Sequence, residues 1–128
     1  MKPGEACPCG SGAKYAACCA PLHAGTAPAA SAEALMRSRY SAYGLKLEEY
    51  LLATWHPTTR PSELDLSADD SKWLVLEVKR HALQDEAHAT VEFVARYRIA
   101  GRGHRLHELS RFVREDGRWY YVDGDLLA

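Results

Sequence analysis

All four cysteines of this chain stand at positions 7, 9, 18 and 19, and nothing else in the sequence constrains its folding as strongly. In a reducing compartment such clustering favours a metal site over disulfides. The run reads Cys7-Pro-Cys9-Gly-Ser-Gly-x5-Cys18-Cys19. Zinc asks for four ligands in a tetrahedron, and thiolates suit its borderline softness. Two cysteines one residue apart reach a common ion only if the chain turns sharply, which Gly10 and Gly12 permit. Ser11 is placed to satisfy nearby backbone amides, and Lys14 offsets part of the negative charge that four thiolates leave around a divalent ion. His23 is an alternative fourth ligand, but adjacency and order favour Cys19. With four protein ligands no position is left for an activated water, so the expected zinc is structural.

The 128 residues give room for one domain and a small appendage. Residues 1–22, with Tyr15 and Leu22 as their large apolar side chains, cannot bury a core. The metal should supply their order, so losing a ligand should unfold them and leave the rest standing. Residues 23–30 read as a linker. The main domain, residues 31–128, opens at Ser31, a helix N-cap with Glu33 in the first turn. Met36, Tyr40, Tyr43 and Leu47 then share one helical face, with Gly44 expected as a C-terminal cap. A second helix over residues 46–54 would bury Leu47, Tyr50, Leu51 and Thr54, and Trp55-His56-Pro57 ends it. Residues 57–71 form a long connection.

Beyond it the apolar period changes from 3.6 to 2. Residues 73–83, 89–99, 105–115 and 118–123 read as strands separated by turn signals. Asp116-Gly117 suits a type I′ hairpin turn and Gly101-Arg102 a type II′ turn. Helices first and an antiparallel meander after them make an α+β fold.

No apolar run approaches the ~18 residues of a membrane span. The first residues lack the apolar stretch of a secretory signal, so the expected location is the cytoplasm. The net charge of -1 argues against broad polyanion binding. Charge is nevertheless uneven: Glu63, Asp65, Asp69 and Asp70 cluster without a base, and seven arginines fall between positions 96 and 118. Such a basic stretch suits an acidic partner or, more commonly, the wet face of a sheet.

The turns assign the faces of the sheet. Tyr97 should pair with Leu106, Ala95 with Glu108, Phe93 with Ser110 and Val91 with Phe112. Past the next turn, Phe112 should meet Tyr121 and Ser110 should meet Asp123. One face then carries Val91, Phe93, Ala95, Tyr97, Leu106, Phe112, Trp119 and Tyr121, with Glu108, Ser110 and Asp123 embedded in it. The other face sets Glu92 opposite Arg111 and Arg96 opposite His107, as cross-strand charge pairing favours. Carboxylates on an apolar face need a partner or shift their pKa upward, as catalytic acids do. Glu108 and Asp123 are therefore acid/base or ligand-anchoring candidates, with His56 approaching and Tyr40 and Trp55 shaping the walls. The alternative is a buried network tying Ser110, Arg39 or helix backbone groups together.

Cys-Pro-Cys-Gly-Ser-Gly-x-x-Tyr-x-x-Cys-Cys resembles the SEC-C motif, which usually ends in Cys-His; Cys19 stands at the histidine's place. Such motifs generally serve as metal-held interaction knobs. Three further stretches extend the likeness: residues 34–43 (Ala-Leu-Met-Arg-Ser-Arg-Tyr-Ser-Ala-Tyr), residues 51–57 (Leu-Leu-Ala-Thr-Trp-His-Pro), and His107-Glu-x-Ser110-x-Phe112-x-Arg114-Glu-x-Gly-x-Trp119-Tyr-Tyr121-x-Asp-Gly124. With these the whole chain resembles the YchJ-like family. Members with two SEC-C motifs exist, and this sequence carries one. The resemblance implies a cone-shaped main domain like nuclear transport factor 2, in which a bent sheet wraps a helix. Cones of this class host isomerases, dehydratases and binders alike, so fold alone decides no activity. The reading that follows is a zinc-binding cytosolic adaptor: a knuckle that contacts a protein, nucleic-acid or ribosome-associated partner, and a cone that offers a pocket or second interface. The competing reading is a small-molecule enzyme using carboxylate acid/base chemistry.

Overall fold

The computed structural model describes residues 5–25, 28–64, 66 and 71–127; Asp65, Asp69 and Asp70 of the acidic stretch lie outside them. A 3-10 turn, Tyr15–Ala17, and a short helix α1, Ala20–His23, follow the first cysteine pair. Helix α2 spans Ala32–Leu45 and α3 spans Glu48–Ala53. Four strands complete the chain: β1 Lys72–Leu83, β2 His88–Ile99, β3 Arg102–Glu115 and β4 Arg118–Leu126. They pair antiparallel in the order β1-β2-β3-β4, as a meander of short hairpins should. The architecture is the expected α+β one.

Ser31 caps α2 as its type and position require, its hydroxyl accepting from Ala34 N at 3.0 Å. The other end differs from expectation. Gly44 lies inside α2, and Lys46, at φ 58°, takes the left-handed position that closes the helix. Its N–H reaches the carbonyls of Ala42 and Tyr43, and those bonds offset the cost of a left-handed non-glycine residue. The α2 face that meets the sheet buries Ala32, Leu35, Met36 and Tyr40 against Leu76, Val91, Phe93, Phe112 and Trp119. A second cluster, Ala42, Leu51 and Leu66, lies beneath α3.

The β2–β3 hairpin turns at Ala100-Gly101, with φ of 52° and 81°, one residue earlier than the sequence suggested. Two consecutive positive φ values are the type I′ geometry, whose twist matches the flanking strands. Every expected β2–β3 pair is therefore displaced by two: Tyr97 meets His104, Ala95 meets Leu106, Phe93 meets Glu108 and Val91 meets Ser110. Because side chains alternate with period two, this even displacement leaves each residue on its assigned face. The convex pairings do change. Arg96 faces Arg105, Arg111 faces Thr90, and Glu92 reaches His107 diagonally, at 2.7 Å.

Asp116-Gly117 forms the next I′ turn, with φ of 52° and 76°, and Phe112 meets Tyr121 as expected. Beyond that pair the register slips at a β-bulge, so that Arg111 pairs with Asp123 and Ser110 with Gly124. Val122 is the extra residue. An odd slip exchanges faces, which puts Asp123 on the convex side and Gly124 on the concave side.

Candidate functional site

Two polar constructions stand on either side of α2. The first is the cysteine cluster. A bridge between Ala6 and Lys14 and the bond from Cys7 N to Ala13 O at 2.9 Å fold the first cysteine pair into a tight loop. Gly10 and Gly12, at φ 79° and 88°, supply the left-handed turns that loop needs. Ser11 accepts from Ala13 N at 3.3 Å and lies 3.2 Å from Cys18 Sγ. The four Sγ atoms fall within 4.8 Å of one another, with Cys9 to Cys18 at 3.6 Å and Cys18 to Cys19 at 3.9 Å. A tetrahedral ion with Zn–S bonds of about 2.3 Å would set its sulfurs about 3.8 Å apart. The cluster fits such an ion and could hold a metal.

Without a cation the hydrogen bonds among the thiols favour one thiolate and oppose a second. The Cys19 hydrogen bond pulls Cys9 down, and that same bond pushes Cys19 up. Burial raises Cys18. A bound divalent ion removes this conflict, because each thiolate then faces positive charge.

His23 is no ligand. Its Nε2 lies 2.8 Å from the Ser38 carbonyl and must donate to it, so Nδ1 accepts from Tyr15 OH at 2.7 Å. Burial lowers its pKa, in keeping with a neutral ring. Two contacts to the cluster come from α2 and were not foreseen. Ser41 Oγ donates to Cys19 Sγ at 3.5 Å and lies 3.6 Å from Cys7 Sγ. Arg37 Nη1 donates to Cys9 O at 3.1 Å. Cys7, Cys9 and Cys19 are themselves buried in the same cluster as Leu35, Met36 and Leu76. The knuckle thus shares its core with the sheet domain.

The second construction is a cavity of about 280 Å³ on the concave face. Of the sequence candidates, Tyr40, Trp55, Glu108, Ser110 and Tyr121 line it. Glu108 Oε2 accepts from Ser110 Oγ at 2.5 Å and from Tyr121 OH at 3.2 Å. Gly124, brought opposite by the bulge, leaves the room that this carboxylate fills; a Cβ there would collide with Oε2. Burial raises the Tyr121 phenol, with Glu108 adding to the effect, and burial pushes Tyr40 up to about 12.

Arg39 is the cation of the wall. It is 5% exposed and projects from α2 over the rings of Trp55 and Tyr121, at 5.0 and 4.7 Å. Nη1 donates to Leu51 O and to Thr54 Oγ1, both at 2.7 Å. Burial lowers its pKa, while Glu108 and the neighbouring tyrosines oppose that shift. The sequence reading placed Arg39 only within a structural network. An arginine on the face shared by Met36, Tyr40 and Tyr43 was the signal for more. Trp55 Nε1 is buried without a hydrogen-bond partner among the described residues.

Three candidates stand elsewhere. Asp123, turned outward by the bulge, accepts from Arg111 Nε at 2.6 Å on the convex face. His56 is held at the corner by Glu115 Oε1, at 2.5 Å, and Thr58 Oγ1, at 2.7 Å. Its backbone N–H is fastened to Tyr121 O at 2.7 Å, which fixes that outward position. Trp119 is concave but lies two residues before Tyr121 in β4, and fills the core with Ala32, Leu35 and Ala89.

Comparison with known proteins matches the chain to the SEC-C motif over residues 5–21 and to the YchJ middle NTF2-like domain over residues 31–124. A UPF0225 protein of Ralstonia nicotianae is 59% identical, covering 97% of this chain and 93% of the relative. One from Bordetella parapertussis is 62% identical, covering 94% and 92%. The solution structure of a SEC-C motif containing protein from Rhodopseudomonas palustris superposes with a TM-score of 0.86 at 41% identity, covering 95% of this chain and 98% of that one. A crystal structure of a SEC-C motif containing protein from Psychrobacter arcticus gives 0.80 at 32% identity, covering 97% and 84%.

Proposed function

Because the chain belongs to the UPF0225 family of YchJ-like proteins with a SEC-C motif, we propose that it is a zinc-held adaptor whose cone domain binds a small ligand. Cys7, Cys9, Cys18 and Cys19 hold the zinc, which supplies structural cross-linking and leaves no coordination site for substrate. The exposed loop from Gly10 to Lys14 is the surface offered to a protein or nucleic-acid partner. Four unpaired thiols suit a reducing compartment such as the cytoplasm.

The observation that carries the ligand-binding part is the cavity, in which Arg39, Glu108 and Ser110 face an otherwise aromatic and aliphatic lining. A few convergent polar groups in an apolar hollow are what ligand sites have in common. Acid/base catalysis by paired carboxylates is less well supported, because Asp123 lies outside the cavity.

Two measurements test the reading. Elemental analysis of protein made without added metal should give about one zinc per chain, the stoichiometry of a single four-ligand site; folded, metal-free protein with free thiols would sink the zinc assignment. Reversing the charge on the loop, as Lys14→Glu, should abolish recovery of partners from lysate while the melting curve stays in place. Unchanged recovery would remove the loop as the contact surface.

A further inference from the structure

We infer that the cone cavity is a site for a small, flat monocarboxylic acid, with the Arg39 guanidinium as its anion anchor. This rests on reading the cone as a ligand-binding domain and names the ligand's chemistry.

A buried cation is costly unless a counter-charge meets it. Arg39 is 5% exposed, and its partners are a carbonyl, the hydroxyls of Thr54 and Tyr43 and two ring faces, all uncharged. Glu108 acts on it through space, but its Oε2 is engaged by Ser110 and Tyr121. Both strong hydrogen bonds of Arg39 leave from Nη1. Arg39 also lines the cavity, beside the Tyr43 hydroxyl with which it shares a hydrogen bond. A guanidinium presents its N–H donors in a planar fork that suits the paired oxygens of a carboxylate.

Charge and size narrow the class further. Glu108 shares the wall with Arg39, and its charge penalises a dianion more than a monoanion. A dianionic phosphate is thereby disfavoured. The hollow, about 280 Å³, sits at the small end of ligand sites, whose usual range is roughly 300–1,000 Å³. Its sides are the rings of Tyr40, Tyr43, Trp55, Trp73, Phe93 and Tyr121. Such walls favour a planar apolar body through stacked or edge-on contacts.

The test uses the full-length, zinc-loaded protein and three probes of one shape: benzoate, benzamide and benzylammonium. Shifts of the Trp55 and Trp73 indole N–H signals in a proton–nitrogen spectrum report occupancy, because both rings line the cavity. Benzoate should saturate these shifts and bind at least about tenfold more tightly than benzamide, the margin of a charge-assisted hydrogen bond. Glu108→Gln, which removes the like charge, should tighten benzoate further. This variant leaves Arg39 and its helix contacts in place, so the test does not depend on a substitution at the buried arginine. Preferential binding of benzylammonium that disappears in Glu108→Gln would overturn the carboxylate assignment and leave the cavity as a cation site. If none of the three probes moves either indole signal, both this inference and the ligand-binding reading of the cone fail.

Discussion

The knuckle and the cone solve the same problem of small size in opposite ways, and α2 is where the two solutions meet. The cone buries Leu35, Val91, Phe93 and Phe112 and is held by apolar area. The knuckle has almost no apolar interior of its own, and its buried atoms are thiols close enough together to hold a metal ion. Arg37, Ser38 and Ser41 of α2 serve the knuckle side. Met36, Arg39, Tyr40 and Tyr43 of the same helix serve the cavity. The helical period alone separates these sets onto two faces. The contrast teaches that the cysteine cluster is fastened to the hydrophobic core through one rigid element, where the motif by itself suggested a tethered knob.

The sharpest way to break that comparison is to remove the metal. Cys9→Ser should remove a ligand of the proposed zinc and lower the melting midpoint of the whole chain by about 10 °C or more, since Cys7, Cys9 and Cys19 belong to the shared core. Calorimetry that finds an unchanged main transition would make the two regions independent, as the sequence alone implied.

A smaller effect belongs to the cavity. Gly124→Ala drives a methyl into the space of the Glu108 carboxylate and should cost about 1–3 kcal/mol by overpacking. Adding Glu108→Ala should recover part of that loss, because the two positions compete for one volume. Strictly additive denaturant midpoints would show that the bulge does not create the carboxylate's niche.

Alkali probes the same wall. Burial raises the phenols of Tyr40 and Tyr121 above their unfolded value near 10. Their contribution is fully present below about pH 10 and is lost as pH rises through the raised folded values. Stability should therefore fall with increasing pH in that window, and Tyr→Phe at position 40 should flatten the slope. An unaltered slope in that variant would show that Tyr40 does not contribute to it.

The smallest effect is expected on the convex face. Asp123→Asn loosens an exposed pair with Arg111, which Asp125 also holds, and should move the melting midpoint by no more than about 2 °C. A fall as large as that of Gly124→Ala would mean that Asp123 has a role inside the cone after all.

Much of the fold was legible because its signals are local. The cysteine spacing, the Ser31 cap, the Asp116-Gly117 turn and the alternation along β2 and β3 each depend on a few neighbouring residues. The concave placement of Glu108 and Ser110 survived a wrong turn position because the resulting error was even. Asp123 was lost because an odd error has the opposite consequence, and nothing in Tyr121-Val122-Asp123-Gly124 announces a bulge. Gly124 was the available hint, a glycine inside a strand, and its meaning depends on a carboxylate sixteen positions earlier.

By itself, the sequence determined which residues can ligate a metal, where the first helix starts, and which side chains of β2 and β3 share a face. Those properties follow from valence, capping and the period of a strand, none of which needs distant partners. Only the tertiary structure decided that Ser41 touches the thiols, that Arg39 lies over Trp55 and Tyr121, and that Glu108 rather than Asp123 borders the cavity. Each of these depends on the docking of α2 against the sheet and on one extra residue in β4, and long-range packing fixes both.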